Sequence, residues 1–193
     1  MEIAYTIYCA IWIRGSKMGN YLECRDGTKL FYLKDIPKKP VANILINHGF
    51  AEHCSRYDYV ANRLKEENIG VYRYDLRGHG RSQSKKGYIK DFMDFAKDAD
   101  EMVDLIKSEN PDTPLFMLGH SMGGLVTCLY GIRYPNKLEG QIFSGAAVRR
   151  VPQVEGFKGD LYRFINLFVP NIKIKNQLSK DICSVSEVVE EYE

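Results

Sequence analysis

One pentapeptide of the sequence has the residue types and the spacing of a nucleophilic site. Residues 119–123 read G-H-S-M-G, a G-x-S-x-G pattern that places Ser121 between a predicted strand at residues 115–118 and a predicted helix at residues 122–134. A serine at the tip of a tight strand-to-helix turn takes a strained backbone conformation, and glycines on both sides let the chain reverse without a clash. The pattern therefore predicts a nucleophile elbow for acyl transfer. A glycine turn without chemistry is the alternative.

Backbone amides near the candidate nucleophile can complete such a site. An oxyanion hole needs two N–H groups aimed at one point, one from the residue after the nucleophile and one from the loop after the third strand. The predicted donors are Met122 and Phe50, because Phe50 follows the apolar run at residues 41–47. Gly119 and Gly123 are the glycines that the elbow requires. The alternative at Phe50 is a plain strand-to-helix loop.

The chain alternates β-rich and helix-like segments. The β-rich segments are residues 21–24, 29–33, 41–47, 71–74, 115–118 and 138–144; the helix-like ones are 55–68, a long segment capped by Asp91 and ended by Asn110-Pro111, and 122–134. Strands that alternate with helices indicate βαβ crossovers. The predicted fold class is α/β, a mainly parallel sheet with helices on both faces.

Composition and charge exclude several function classes. With 45% hydrophobic and 27% charged residues, the 193-residue chain has the composition of about one globular domain, which excludes a disordered or coiled-coil protein. A net charge of +2 without a long run of one sign predicts no nucleic-acid partner. Five cysteines without metal-ligand spacing predict neither disulfides nor a zinc site, and favour a reducing, cytoplasmic location. No motif implies a cofactor or a metal ion.

An apolar run at residues 3–13 precedes the pattern of the core. It is shorter than the roughly 20 residues that a membrane span needs, and it lacks the basic flank and the cleavage site of a secretory signal. A hairpin pattern begins near Met18. We therefore interpret residues 1–17 as a leader or start-site extension and residues 18–149 as the N-terminal part of the core. A weak membrane-surface anchor is the other interpretation of the first segment.

Three motifs together resemble one known family. They are HGFAEHCSRY (residues 48–57), YDLRGHGRS (74–82) and GHSMGG (119–124). Their combination and order resemble the α/β-hydrolase superfamily, and within it the monoacylglycerol lipase and lysophospholipase-like branch of serine hydrolases. The resemblance extends over roughly residues 20–150. It implies the α/β-hydrolase fold.

The resemblance also implies a reaction. Members of this branch hydrolyse carboxylic esters of medium to long acyl chains, which makes a small lipid ester the expected substrate. Ser121 would be the nucleophile, and the amides of Phe50 and Met122 the oxyanion donors. Ala51 departs from the branch, which often has glycine at that position of the oxyanion loop. The elbow motif indicates acyl transfer but does not identify the leaving group, so thioester and peptide hydrolysis remain alternative reactions.

The sequence contains no complete catalytic triad. In this superfamily the triad runs Ser, then Asp or Glu, then His along the chain, and no histidine follows Ser121. The four histidines are His48, His53, His79 and His120. We expect none of them to replace the missing base. His48 and His53 flank the oxyanion loop, which the resemblance implies that they shape. His79 more often braces its own loop, and the elbow turns the side chain of His120 away from Ser121.

Residues 150–193 fall where the family inserts its cap or lid. Their apolar residues recur at helical spacing before Pro170, which is typical of a lid helix that lines an acyl tunnel and contacts lipid aggregates, or simply of the buried face of a cap helix. The sequence ends at Glu193, before the last two strands that the family would add. We interpret this segment as an incomplete cap and the chain as a fragment with its C-terminal strands missing.

Two functions from different classes follow. The first is a serine esterase or lipase acting through an acyl-enzyme on Ser121, whose fragment alone is inactive. The second is a non-catalytic short form with a binding or regulatory role, which keeps the elbow by descent. The intact Ser121 and oxyanion loop favour the first function, and the missing base favours the second. The sequence predicts no oligomeric state, although exposed sheet edges predict that residues 1–193 associate or dissolve poorly.

Overall fold

A computed structural model describes residues 19–148 as a six-stranded sheet with α-helices on both faces. The strands are β1 (Asn20–Glu23), β2 (Lys29–Asp35), β3 (Ala42–Asn47), β4 (Ile69–Tyr74), β5 (Leu115–His120) and β6 (Gly140–Ser144), and the helices are α1 (Asp58–Glu66), α2 (Met93–Glu109) and α3 (Met122–Arg133). The interpretations of residues 1–17 and 150–193 lie outside the described residues.

The sheet is mainly parallel, which confirms the predicted fold class. Its strand order is β1-β2-β4-β3-β5-β6. The pairs β4–β3, β3–β5 and β5–β6 are parallel, whereas β1 and β2 form an antiparallel hairpin whose second strand also pairs antiparallel with β4. In the register of β3 and β5, Asn47 lies opposite Gly119, so β5 extends one residue beyond the carboxyl end of β3.

Apolar residues on both sides of β3 explain its continuous hydrophobic run. Ile44 and Ile46 pack with Ala61 of α1 in one buried cluster. Leu45, which points to the opposite face, joins a larger cluster that includes Met102 of α2 and Val126 of α3. A strand that is covered on both faces is mostly apolar, although Asn43 and Asn47 of β3 are buried as well. The strand is therefore packed on both sides along its length.

Two helix starts differ in detail from the sequence prediction. The single helix expected over residues 55–68 is a 3₁₀ helix, Cys54–Tyr57, followed by α1. The first turn is tighter because its N–H groups bond carbonyls three residues back, from Arg56 to His53 and from Asp58 to Ser55, while the Cys54 N–H donates to the buried Asp75 carboxylate (2.7 Å). Asp91 has the expected capping role from just before α2, since its carboxylate accepts the Met93 N–H at 2.9 Å.

The described helices and thiols are ordinary for a globular core. Among residues 19–148, no helix combines the length and the apolar character that crossing a membrane requires. Cys24, Cys54 and Cys128 are free thiols. Burial, reinforced by the Asp98 charge, raises the pKa of Cys24 to about 12, and burial likewise raises the pKa of Cys54. Both thiols are therefore protonated and unreactive at neutral pH.

Candidate active site

Ser121 lies at the junction of β5 and α3 in a conformation that few non-glycine residues adopt. Its φ is 51° and its ψ is −115°, and such a residue stores about 1–3 kcal/mol of strain that its surroundings must hold. The Ser121 N–H donates to the Ser144 carbonyl at 3.0 Å, and the Ser121 carbonyl accepts the N–H groups of Ala147 (2.9 Å) and Gly124 (3.0 Å). Hydrogen bonds thus hold the strained turn against the end of β6 and the first turn of α3.

The two glycines of the elbow are required by close backbone contacts. A Cβ atom at Gly119 would overlap the Gly123 carbonyl and the Thr127 hydroxyl. A Cβ atom at Gly123 would overlap the carbonyl oxygens of Asn47 and His48. Glycine is therefore needed at both positions for space, and the first turn of α3 lies directly against the chain that leaves β3.

Phe50 and Met122, the predicted oxyanion donors, lie on the two segments that are in contact at the elbow, the chain after β3 and the start of α3. Phe50 is on the turn after β3, and Met122 is the first residue of α3. A Cβ atom at Gly49 would stand 3.3 Å from Cδ2 of His120, which shows how closely the turn approaches the elbow. Ala51 has a φ of 57°, the left-handed region that favours glycine. This conformation gives a physical reason for the glycine that the resemblance to the family leads one to expect at this position.

Glu52 holds the turn after β3 in place, a role that the sequence analysis missed. Its Oε2 atom accepts the Gly49 N–H at 2.9 Å and the Tyr57 hydroxyl at 3.0 Å. The signal was available in the motif HGFAEHCSRY, which has a carboxylate three residues after the glycine. The pattern alone does not reveal that the side chain folds back onto the backbone.

His48 has the structural role that was expected of it. Its ring is fully buried, with Nδ1 2.7 Å from the Gly49 carbonyl oxygen and Nε2 accepting the Leu76 N–H at 2.9 Å. These partners require the neutral ring with its proton on Nδ1. Burial, with a smaller contribution from His79, lowers the pKa of His48 to about 4. A neutral ring with both nitrogens engaged has no lone pair left for Ser121.

His79 and His120 also have local partners. Nδ1 of His79 is 3.1 Å from the Arg77 carbonyl oxygen, and its ring packs against those of His48 (5.3 Å between centroids) and Phe50 (6.2 Å). Burial lowers the pKa of His79. Nδ1 of His120 lies 3.0 Å from the carbonyl oxygen of Ser144, which turns its ring towards β6. The geometry of His79 agrees with the bracing role expected of it, and that of His120 agrees with a ring directed away from Ser121.

Asp75 connects two of the three motifs through buried hydrogen bonds. Its Oδ1 accepts the Cys54 N–H and its Oδ2 accepts the Arg81 N–H, both at 2.7 Å. A Cβ atom at Gly80 would overlap this carboxylate. His53, which precedes the 3₁₀ helix, has a pKa that burial lowers and the charge of Asp75 partly restores. The motifs at residues 48–57 and 74–82 therefore form one folded unit beside the elbow.

Comparison with known proteins shows the family to which the chain belongs. The profile of the family described as serine aminopeptidase, S33, matches residues 38–193. Monoglyceride lipase of Mus musculus is 34% identical over 157 residues, 81% of this chain and 50% of that protein. Monoacylglycerol lipase of Mycolicibacterium smegmatis is 33% identical over 153 residues, 79% of this chain and 55% of that protein. The chain thus spans about half the length of the curated relatives that it matches.

Solved structures give the same result for the fold. A soluble variant of monoglyceride lipase from Saccharomyces cerevisiae, in complex with a substrate analogue, superimposes with a TM-score of 0.73 at 23% identity, over 91% of this chain and 61% of that one. Monoacylglycerol lipase of Paleococcus ferrophilus superimposes with a TM-score of 0.70 at 27% identity, over 84% and 61%. The chain belongs to the serine aminopeptidase S33 family of the α/β-hydrolase superfamily, on its monoacylglycerol lipase-like branch.

Proposed function

We propose that this chain is the nucleophile-bearing part of a serine hydrolase that cleaves carboxylic esters of the monoacylglycerol or lysophospholipid type. The observation that carries the proposal is the strained backbone of Ser121, held at the end of β5 directly beside the turn after β3. Strain of this kind persists only where the surroundings hold it, and such residues cluster at active sites. The turn supplies Phe50 and the elbow supplies Met122 as donors.

The chemistry is acyl transfer in two steps. Ser121 Oγ attacks the ester carbonyl and forms an acyl-enzyme with release of the alcohol, and water then hydrolyses the acyl-enzyme to the free acid. The Phe50 and Met122 N–H groups stabilise the oxyanion that develops in both steps, helped by the N-terminal dipole of α3. The histidine base and its carboxylate belong, in this proposal, to sequence that these 193 residues do not contain.

The substrate class rests on likeness to relatives. The names of the Mus musculus and Mycolicibacterium smegmatis proteins state that they act on monoacylglycerols, and the Bacillus subtilis relative is named a phospholipase. We accordingly propose a lipid ester as substrate, with residues 150–193 as a cap that contacts lipid aggregates. The free thiols of Cys24, Cys54 and Cys128 support a cytoplasmic location.

The test is Ser121→Ala in the protein translated from the intact coding sequence, with Ser108→Ala, an exposed serine of α2, as the matched control. We expect the Ser121 variant to lose release of fatty acid from a monoacylglycerol by roughly a thousandfold or more, and to lose labelling by a fluorophosphonate. The control should keep both. Parallel assays with a lysophospholipid and an aminoacyl amide identify the leaving group. Equal labelling of both variants would contradict the proposal.

A non-catalytic role is the second candidate, and one observation favours it. No histidine follows Ser121 in the sequence, and a serine hydroxyl without a base is a poor nucleophile. On this alternative, a protein that ends at residue 193 in its source would neither label with a fluorophosphonate nor release fatty acid, while it still folds. Sequencing of the coding DNA beyond the codon for Glu193 separates the two candidates.

A further inference from the structure

We infer that Glu52 is a positioning residue, whose carboxylate aims the Phe50 amide at the oxyanion by fixing the turn at residues 49–52. The inference rests on the proposed function of Ser121. It concerns a side chain that belongs to neither the elbow nor the triad. Glu52 acts on the main chain of the site and touches no reacting atom.

Two hydrogen bonds to one carboxylate oxygen of Glu52 hold the turn at residues 49–52. Oε2 of Glu52 accepts the Gly49 N–H at 2.9 Å and the Tyr57 hydroxyl at 3.0 Å. The Glu52 side chain is only 14% exposed, and Nε of Arg56 lies 3.8 Å from its other oxygen. Hydrogen bonds to an ionised acceptor are roughly twice as strong as neutral ones, and low exposure shields them from water. The Gly49 amide is thus held by a partly buried, charge-assisted bond.

The turn itself has the shape that this bond needs. Ala51, with its φ of 57°, reverses the chain so that the Glu52 side chain reaches the backbone three residues earlier. Tyr57, at the end of the 3₁₀ helix, packs against the cluster of Ile44, Ile46 and Ala61. Burial, followed by the charge of Glu52, raises the pKa of Tyr57, so its hydroxyl stays a donor. Glu52 therefore ties the turn to the packed core.

Fixing Gly49 determines the direction of the Phe50 amide. The carbonyl of Gly49 and the N–H of Phe50 belong to one planar trans peptide unit, so the N–H points opposite to the carbonyl. His48 Nδ1 holds that carbonyl at 2.7 Å, and Glu52 holds the N–H of the preceding peptide unit. Without these two bonds, the conformational freedom of Gly49 would let the peptide units on either side of it rotate. With both of them held, the Phe50 N–H has one direction.

The experiment compares Glu52→Gln with Glu66→Gln, an exposed glutamate of α1, in the intact protein. We expect Glu52→Gln to lower kcat for monoacylglycerol hydrolysis, and the rate of fluorophosphonate labelling at Ser121, by roughly tenfold with KM nearly unchanged. Glu66→Gln should match the wild type. Tyr57→Phe, which keeps the carboxylate but removes one of its partners, should lower kcat by about threefold, against Tyr59→Phe as its exposed control.

The outcomes separate the inference from the proposed function. If the wild type labels and Glu52→Gln labels at the same rate, or if only KM rises, the positioning role is wrong and the function of Ser121 stands. If the wild type does not label, the proposed function fails and the inference fails with it. If Glu52→Gln does not fold, Tyr57→Phe decides: an unchanged kcat in a folded variant overturns the inference.

Discussion

Space for a single methyl group decides whether the elbow can form. A Cβ atom at Gly123 would overlap the main-chain oxygens of Asn47 and His48, whereas one at Gly27 would meet nothing within 4 Å. Gly27 has a φ of 81°, so alanine there costs only the left-handed conformation, about 1 kcal/mol. We expect Gly123→Ala to lower the free energy of unfolding by roughly 3 kcal/mol, because the backbone must move apart.

Denaturant unfolding of the two glycine variants measures this difference directly. The larger loss in Gly123→Ala should come with slower fluorophosphonate labelling of Ser121, because the displaced chain carries the turn after β3. Equal losses of stability in the two variants would mean that conformation, and not space, sets the need for glycine at the elbow.

Sequence patterns identify residues that act through their neighbours along the chain, and Ser121 is such a residue. Its G-x-S-x-G environment predicts the strained turn, the strand before it and the helix after it, and all three are present. Asp75 acts across space instead, and Glu52 acts within its own turn by folding back onto Gly49. Asp75 accepts an amide 21 positions away, and no local spacing encodes which backbone group a buried carboxylate will reach. Their roles required coordinates.

At the scale of elements, one histidine ring holds the loops after β3 and β4 together. His48 bonds Gly49 on its own loop and Leu76 on the other. Its pKa in the folded protein is about 4, below the ordinary value of about 6.5 expected in the unfolded chain. Between these values the unfolded chain binds the proton and the folded protein does not. The stabilisation from neutral His48 is therefore complete above about pH 6.5 and is lost as pH falls towards 4.

We expect the unfolding midpoint of the wild type to fall between pH 6.5 and pH 4, and His48→Gln to have a flatter profile over that range. The variant starts from a lower midpoint at pH 7, since the glutamine cannot reproduce both bonds. Its profile keeps some slope because His53 and His79 also have lowered pKa values. Thermal unfolding at half-unit pH steps checks this. Parallel profiles for the two proteins would contradict the role of His48.

Element boundaries were predicted less well than element types. Periodicity correctly gave a helix after the turn, yet it ran through residues 55–68 without a break. The structure has a 3₁₀ turn up to Tyr57 and begins α1 at Asp58. Similarly, β6 begins at Gly140 and not at residue 138. Periodicity reports which face of an element is apolar, and it does not determine where the hydrogen-bond pattern begins.

At the scale of the whole molecule, β6 forms an apolar border of the described sheet. Ile142 and Phe143 are 43% and 49% exposed, and as neighbours on a strand they point to opposite faces. Within residues 19–148, β6 pairs with β5 alone. An exposed apolar strand edge is a template for pairing with another chain. We expect the 193-residue chain to associate, with a sedimentation coefficient that rises with concentration.

Replacement of Ile142 and Phe143 by lysine should shift this chain towards the monomer. Ile132→Lys, at an exposed site on α3, serves as the control and should leave association unchanged. A monodisperse wild-type monomer with a sharp thermal transition would contradict the expected association.

The pairing register of β3 and β5 fixes the position of the turn after β3 relative to Ser121, which matters for protein engineering. Asn47 lies opposite Gly119, so one residue added to either strand would slide the turn past the serine by about 3.3 Å and invert every side chain beyond it. The turn between β1 and β2, where a Cβ atom at Gly27 would meet nothing within 4 Å, lies outside this pair. An insertion there would leave the register of β3 and β5 unchanged, so tolerance to insertion in this scaffold depends on which two strands are left untouched.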